Sequence, residues 1–272
     1  MERLSDRQAC PEDDAGSRLI VFAGPSLGAQ STVARNINFQ PPARCGDITR
    51  VMAARPTAIG LIDGVFETAP SVWHKEIIYA LSLGVMVFGA ASIGALRAVE
   101  LAPFGMIGIG EVFRAYRDGE IEDDDEVAVL HGPAELGYPT LTEAMVNVRA
   151  TLDAATRARV LRGEERTTLA RTAKSIFYKH RTWNAIVNRA ASDGVPPANL
   201  RRFTEWRPTN SVDVKMQDAQ LLIAALQNDV LRGSNAGTVP ELSQTTFWIA
   251  HAERHNAISA SRPVLSRPNR PP

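Results

Sequence analysis

The stretch VFGAASIGALRAVEL, residues 87–101, decides how this chain folds. An apolar run ends in small residues, presents one serine, Ser92, and passes at once into a helix-forming segment. A continuous apolar run that gives way to helical spacing marks a buried strand feeding a helix. Three runs have this form: LIVFAG (19–24), AIGLID (58–63) and VMVFGA (85–90), which opens into the quoted stretch. Between the last two, PSVWHKEIIYALSLG spaces Trp73, Ile77, Ala80 and Leu81 at helical intervals, with Pro70 and Ser71 at its start and Gly84 at its stop. GDITRVMAARP predicts a helix that ends before Pro56. Alternation of strand and helix with short links predicts an α/β fold, a Rossmann-like parallel sheet flanked by helices. EVAVLH (126–131) is expected to add a strand.

After residue 140 the strand signals vanish and helical patterns take over, among them LTEAMVNVRATLDAATRARVL, TTLARTAKSIFYKH and WNAIVNRAASDG. In SVDVKMQDAQLLIAALQNDVLRG, residues Ala219, Leu222, Ile223, Leu226 and Val230 make one apolar stripe. The expected organisation is a disordered leader (1–18), an α/β core (19–140), an all-helical C-terminal extension (141–260) and a Pro/Arg-rich disordered tail (261–272).

Composition excludes several classes. Thirty basic residues balance thirty acidic ones, so no electrostatic footprint for nucleic acid exists. The basic cluster RRFTEWR (201–207) is interrupted by Glu205 and reads as a solvated helix face. Cys10 and Cys45 cannot by themselves build a disulfide framework or a zinc site. No metal ligand set and no cofactor are assigned. LIVFAG is too short to span a bilayer, and the polar first residues hold no signal-peptide core. A cytoplasmic protein without a membrane partner is expected.

In an open parallel sheet, ligands bind beyond the carboxyl ends of the strands. The turns there contain Gly24 and Ser26, then Asp63 and Gly64, then Ser92. Each puts small residues where a helix begins, and helix-start N–H groups favour an anion or a developing oxyanion. Residues 90–94, Ala-Ala-Ser-Ile-Gly, match a nucleophile elbow with alanine replacing the first glycine. A helix cap at Ser92 is the other reading. The N–H of Ile93, with one from residues 24–28, is the expected oxyanion hole. A serine nucleophile needs a base, for which His74 and His131 are the candidates and His180 a lesser one. The run Asp123, Asp124, Asp125, Glu126 suits either a divalent cation or a charged surface loop. GMIGIG reverses the dinucleotide fingerprint, and GAASIGAL lacks the Lys-Ser/Thr of a phosphate loop, so nucleotide binding is disfavoured.

Taken together, GPSL, IDGVF, VWHKEI, GAASIGALRAVEL, GMIGIGEVFRAYRDGEIEDDDEVAVLH and DVKMQDAQLL resemble, in order and spacing, the TfuA-like family. The likeness is strong over about residues 19–155, and WHKEI and DDEVAVLH are its distinctive blocks. Asp63, His74, Lys75, Glu76, Arg97, Glu100, Asp125, Glu126 and His131 occupy family-like positions. Where many members are expected to read Ser-Met-Gly-Ala-Leu-Arg-Ala, this chain has Ser92-Ile93-Gly94, which keeps the serine.

The resemblance implies an accessory role in YcaO-dependent thioamidation of a peptide backbone. The implied partners are a YcaO-family protein, a thiocarboxylated ubiquitin-like sulfur carrier and, through YcaO, a precursor peptide. The implied activity is hydrolysis of the carrier's thiocarboxylate to deliver sulfide. For that acyl transfer, Ser92 is expected as nucleophile or as anchor of an attacking water. His74 or His131 would be the base, oriented by Asp63 or Asp125. Gly24, Ser26, Gly64, Lys75, Glu76, Arg97 and Glu126 are the expected substrate-binding positions. Two alternatives stay open: an adaptor that recruits the carrier to YcaO without chemistry, and a metal-dependent hydrolase using Asp124, Asp125 and His131.

Overall fold

A computed structural model describes residues 19–28, 36–231 and 240–255. Its centre is a five-stranded, all-parallel sheet in the order β2-β1-β3-β4-β5. The strands are β1 (Leu19–Phe22), β2 (Ile37–Gln40), β3 (Ala58–Leu61), β4 (Met86–Gly89) and β5 (Ile107–Gly108). The three apolar runs are thus adjacent central strands, with Leu19 in register with Ala58 and Ala58 with Met86.

Their unbroken hydrophobicity follows from burial on both faces. Ile20, Phe22, Ile59, Leu61 and Val87 point to one side, against Ile48 of α1 (Asp47–Val51), Ile77 and Ala80 of α2 (His74–Ser82) and Ala98 of α3 (Ile93–Leu101). The alternate residues Leu19, Val21, Ala58, Met86 and Phe88 meet Ala219, Leu222 and Leu226 of a much later helix. Burying each large apolar side chain stabilises the fold by about 1.5–3 kcal/mol.

From β5 the chain enters α4 (Gly110–Arg117), then a 3₁₀ turn at Asp124–Glu126. Four helices follow: α5 (Met145–Arg157), α6 (Gly163–Ser175), α7 (Trp183–Ser192) and α8 (Pro197–Trp206). They form their own core around Met145, Leu152, Leu169, Trp183, Ile186 and Phe203. Next, α9 (Val214–Leu231) returns to the sheet, and Leu222 and Leu226 seat against β3 at Gly60. Finally α10 (Thr246–Arg254) lies against α2, where Trp248 meets Trp73 and Tyr79.

The α/β reading and the helical C-terminal half hold. EVAVLH does not form a strand. Its backbone bonds elsewhere: Val127 C=O accepts from Lys215 Nζ at 2.7 Å, Leu130 N–H donates to Thr142 Oγ1 at 2.7 Å, and only His131 forms a single bridge, to Thr140. The 1–18 leader and the 261–272 tail lie outside the described residues, as does the Val230 side chain. Among the described residues, no helix is long and apolar enough to cross a membrane.

Candidate functional site

With strand order 2-1-3-4-5, the direction of winding reverses between β1 and β3, and the crevice beyond their carboxyl ends is where such sheets bind ligands. A cavity of about 380 Å³ opens there. Pro25 after β1, Pro42 and Arg44 after β2, Asp63–Phe66 after β3 and Ser92, Ile93 and Leu96 after β4 line it. The opposite wall is Asp124, Val127–His131 and Tyr138, with Tyr178 and Lys179 from the helical half and Lys215 from α9.

Ser92 reaches this cavity because the β4–α3 turn is very tight. Ala91 takes a left-handed φ of 65°, and Ser92 N–H folds back onto Ala90 C=O at 2.7 Å. The strain therefore falls one residue before the serine. Gly94 permits the turn: a Cβ there would sit 1.8 Å from the Leu61 carbonyl oxygen. Ser92 does not cap α3 with its side chain. Its Oγ has no hydrogen-bond partner among the described residues and is free for a ligand or water.

Asp63 is 1% exposed and braces the neighbouring turn. It accepts from Gly24 N–H and Ser26 N–H, both at 2.9 Å, and from Ser26 Oγ at 2.7 Å. Leu27 and Gly28 donate to Gly24 C=O, and residue 25 is proline. Residues 24–28 thus offer no spare N–H for an oxyanion hole. The first N–H of α3, at Ile93, has no intrahelical acceptor, and Ile93 lines the cavity.

His131 Nδ1 donates to Gly132 C=O at 2.8 Å, which leaves the Nε2 lone pair as the basic position. Its ring packs edge-on against Tyr138. Lys215 is the feature that sequence reasoning missed. It is 3% exposed and borders both the main cavity and a smaller one beside Ser26 and Asp213. Burial pushes its ammonium well below the ordinary lysine range, against the pull of Asp63 and Asp213. A signal was present. Lys215 precedes Ala219, Leu222 and Leu226 by helical intervals, a lysine on the buried stripe.

Residues 63–182 match the family model described as TfuA-like protein. Over that span the chain resembles TfuA-like proteins. No curated protein matches the chain significantly. The TfuA-like span begins at the β3 turn and supplies Asp63, Ser92, Asp124, His131, Tyr138 and Lys179, while Pro25, Arg44 and Lys215 come from outside it.

The other expected site residues of the TfuA-like segment lie elsewhere. His74 Nε2 and Arg97 Nη1 share Glu100 Oε2, at 2.8 and 2.6 Å, on the outer surface of α2 and α3. Lys75 Nζ holds Thr245 Oγ1 at 2.8 Å, and Glu76 is buried beneath α10. Asp125 pairs with Lys174 and the buried Arg181, and Glu126 takes a two-pronged grip from Arg149 at 2.9 and 3.0 Å. Lys174 Nζ contacts Asp123, Asp125 and Glu126 together, so an ammonium already occupies the point on which these carboxylates converge. Of the twelve expected positions, Asp63, Gly64, Ser92 and His131 line the cavity, and Gly24 and Ser26 stand directly behind Asp63.

The acidic joint has a pH consequence. Burial works against the Asp125 carboxylate, but hydrogen bonds from Lys174 and Arg181 win and hold it below the usual range. A depressed folded value gives stability that is present above the unfolded value of about 3.9 and lost as pH falls through the folded one. The urea midpoint of wild type is expected to fall faster below pH 4 than that of Asp125→Asn. Parallel curves would contradict the pairing.

Proposed function

We propose that the protein is an accessory factor for YcaO-dependent backbone thioamidation and that its cavity hydrolyses the C-terminal thiocarboxylate of a ubiquitin-like sulfur carrier. One observation carries the reading: a serine with an unengaged hydroxyl, a histidine with an accessible Nε2 and three cationic side chains line one cavity at the switch point of the sheet. Arg44 and Lys179 attract the anionic terminus, and apolar walls at Pro42, Phe66 and Leu130 admit a slender chain end. An anion arriving beside Lys215 favours its charged form, against the burial that disfavours it.

Ser92 Oγ, or a water that it anchors, attacks the thiocarboxylate carbon while His131 Nε2 takes the proton. The tetrahedral oxyanion forms beside Ile93 N–H and Lys215. Collapse breaks the C–S bond and expels hydrosulfide. With water as the final acceptor, the balance is thiocarboxylate plus water giving carboxylate plus hydrogen sulfide. The sulfide passes to the YcaO partner, which uses ATP to activate the amide of the precursor peptide.

The adaptor reading has its own support, because Ser92 Oγ makes no hydrogen bond to His131 or Lys215. A single assay separates the two. Thiocarboxylated carrier and the protein are incubated without YcaO, and sulfide and carrier mass are followed. Hydrolysis predicts sulfide release with sulfur replaced by oxygen at the carrier terminus. It also predicts a rate about 100-fold lower in Ser92→Ala and in His131→Gln, at unchanged carrier affinity. Carrier binding without sulfide establishes the adaptor. Wild-type rates in both variants remove the assigned chemistry.

A further inference from the structure

A second cluster lies apart from the cavity lining, where α10 lies over the start of α1. Cys45 Sγ, just before α1, stands 4.0 Å from His251 Nδ1. On the far side of that ring, His251 Nε2 is 3.3 Å from Thr49 Oγ1. The same hydroxyl donates to Glu76 Oε2 at 3.2 Å, and Glu76 is 0% exposed. A hydroxyl that gives its proton to the carboxylate accepts from the ring. Nε2 therefore carries the histidine proton, and Nδ1 turns a lone pair toward the sulfur.

The ligand atoms of Cys45, Glu76 and His251 lie within 4.8 Å of one another, and His255 stands beside them. It follows His251 by one helical turn in HAERH, its ring centroid lies 4.6 Å from that of His251, and it packs against the backbone of Gly46, next to Cys45. Two histidines at this spacing on one helix are a common zinc-ligand pair. Backing a ligating imidazole through its other nitrogen by a carboxylate is the usual way its orientation is fixed.

The donor chemistry points the same way. Glu76 is buried, and its two oxygens are held by Gly46 N–H, Trp73 N–H, Thr49 N–H and Thr49 Oγ1, which fixes it as an anchor behind His251. A divalent cation would convert the Cys45 thiol to thiolate with release of one proton. The mixed sulfur and nitrogen donors suit zinc rather than calcium or magnesium.

We propose that Cys45 and His251 bind a zinc ion, with His255 turning in from the next helical turn as third ligand, Glu76 and Thr49 holding His251 in the ligating orientation and a water in the fourth position. The site clasps α10 onto α1 and α2. It is independent of the sulfide-releasing reading, since none of the three ligands lines the cavity.

The test uses the full chain, stripped with a chelator and titrated with zinc against a chromophoric competitor, then with cobalt. Wild type is expected to take up one equivalent, release a proton and show a thiolate-to-cobalt charge-transfer band. Cys45→Ser, His251→Gln and His255→Gln are each expected to lose about 100-fold or more in affinity, and Thr49→Val about tenfold. Cys10→Ser should behave as wild type. Circular dichroism confirms that each variant is folded. No zinc uptake by wild type, or unchanged affinity in any of the three ligand variants, overturns the assignment.

Discussion

Gly94→Ala is expected to cost about 3 kcal/mol or more, at the upper end for an overpacked core. The added methyl would lie 1.8 Å from the Leu61 carbonyl oxygen and 2.6 Å from its carbon. These are backbone atoms of a central strand, so no side chain can swing aside. The helix must lift from the sheet, and Gly94 N–H then loses Ile62 C=O, its partner at 3.2 Å. Typical total stabilities are about 5–15 kcal/mol, so the loss is a large fraction of the whole. Gly84→Ala is the control. Gly84 has φ of 77° but open space around it, so only the left-handed penalty of about 1–2 kcal/mol applies. Urea midpoints of the two variants should differ clearly, and equal midpoints would refute the close approach of α3 to β3.

Arg181→Met is expected to cost about 3–5 kcal/mol, as for other buried ion pairs broken from one side. Arg181 is 0% exposed. Its Nε donates to Ala173 C=O and its Nη1 to Asp125 C=O, each at 3.0 Å, and its Nη2 pairs with the Asp125 carboxylate. It therefore pins the 124–130 wall to the helical layer without itself lining the cavity. The variant should melt earlier, because that wall is no longer held. Asp125 keeps Lys174 as a partner, so Asp125→Asn added to this variant should cost less than Asp125→Asn alone. A thermal melt of single and double variants decides the matter, and additive losses would exclude the coupling.

The three central strands were legible because they are buried on both faces and need no alternation. β2 was not. Its sequence Ile-Asn-Phe-Gln lies at the sheet edge, and only Ile37 is fully buried, so it carries no continuous apolar signal. EVAVLH misled for the opposite reason. Val127 is buried against Val112 and Tyr116 of α4, but its backbone is held by Lys215 rather than by a neighbouring strand. Apolar content reported burial, and burial is not pairing. Of the residues that line the cavity, Ser92 and Asp63 were expected from turn chemistry and His131 as a candidate base. His74 and Asp125 were not brought there, because their side chains are engaged by Glu100, Lys174 and Arg181. Lys215 escaped notice since its meaning depends on α9 crossing the sheet, a contact between residues far apart in the chain.

That crossing has a consequence for how the molecule is made. One entire face of β1, β3 and β4 is covered by a helix that emerges from the ribosome more than a hundred residues after β4 itself. Until then the nascent sheet shows water an apolar flank, the kind of surface that chaperones hold. The cavity gains Lys215 at the same late moment, so its wall is complete only once the sheet can close.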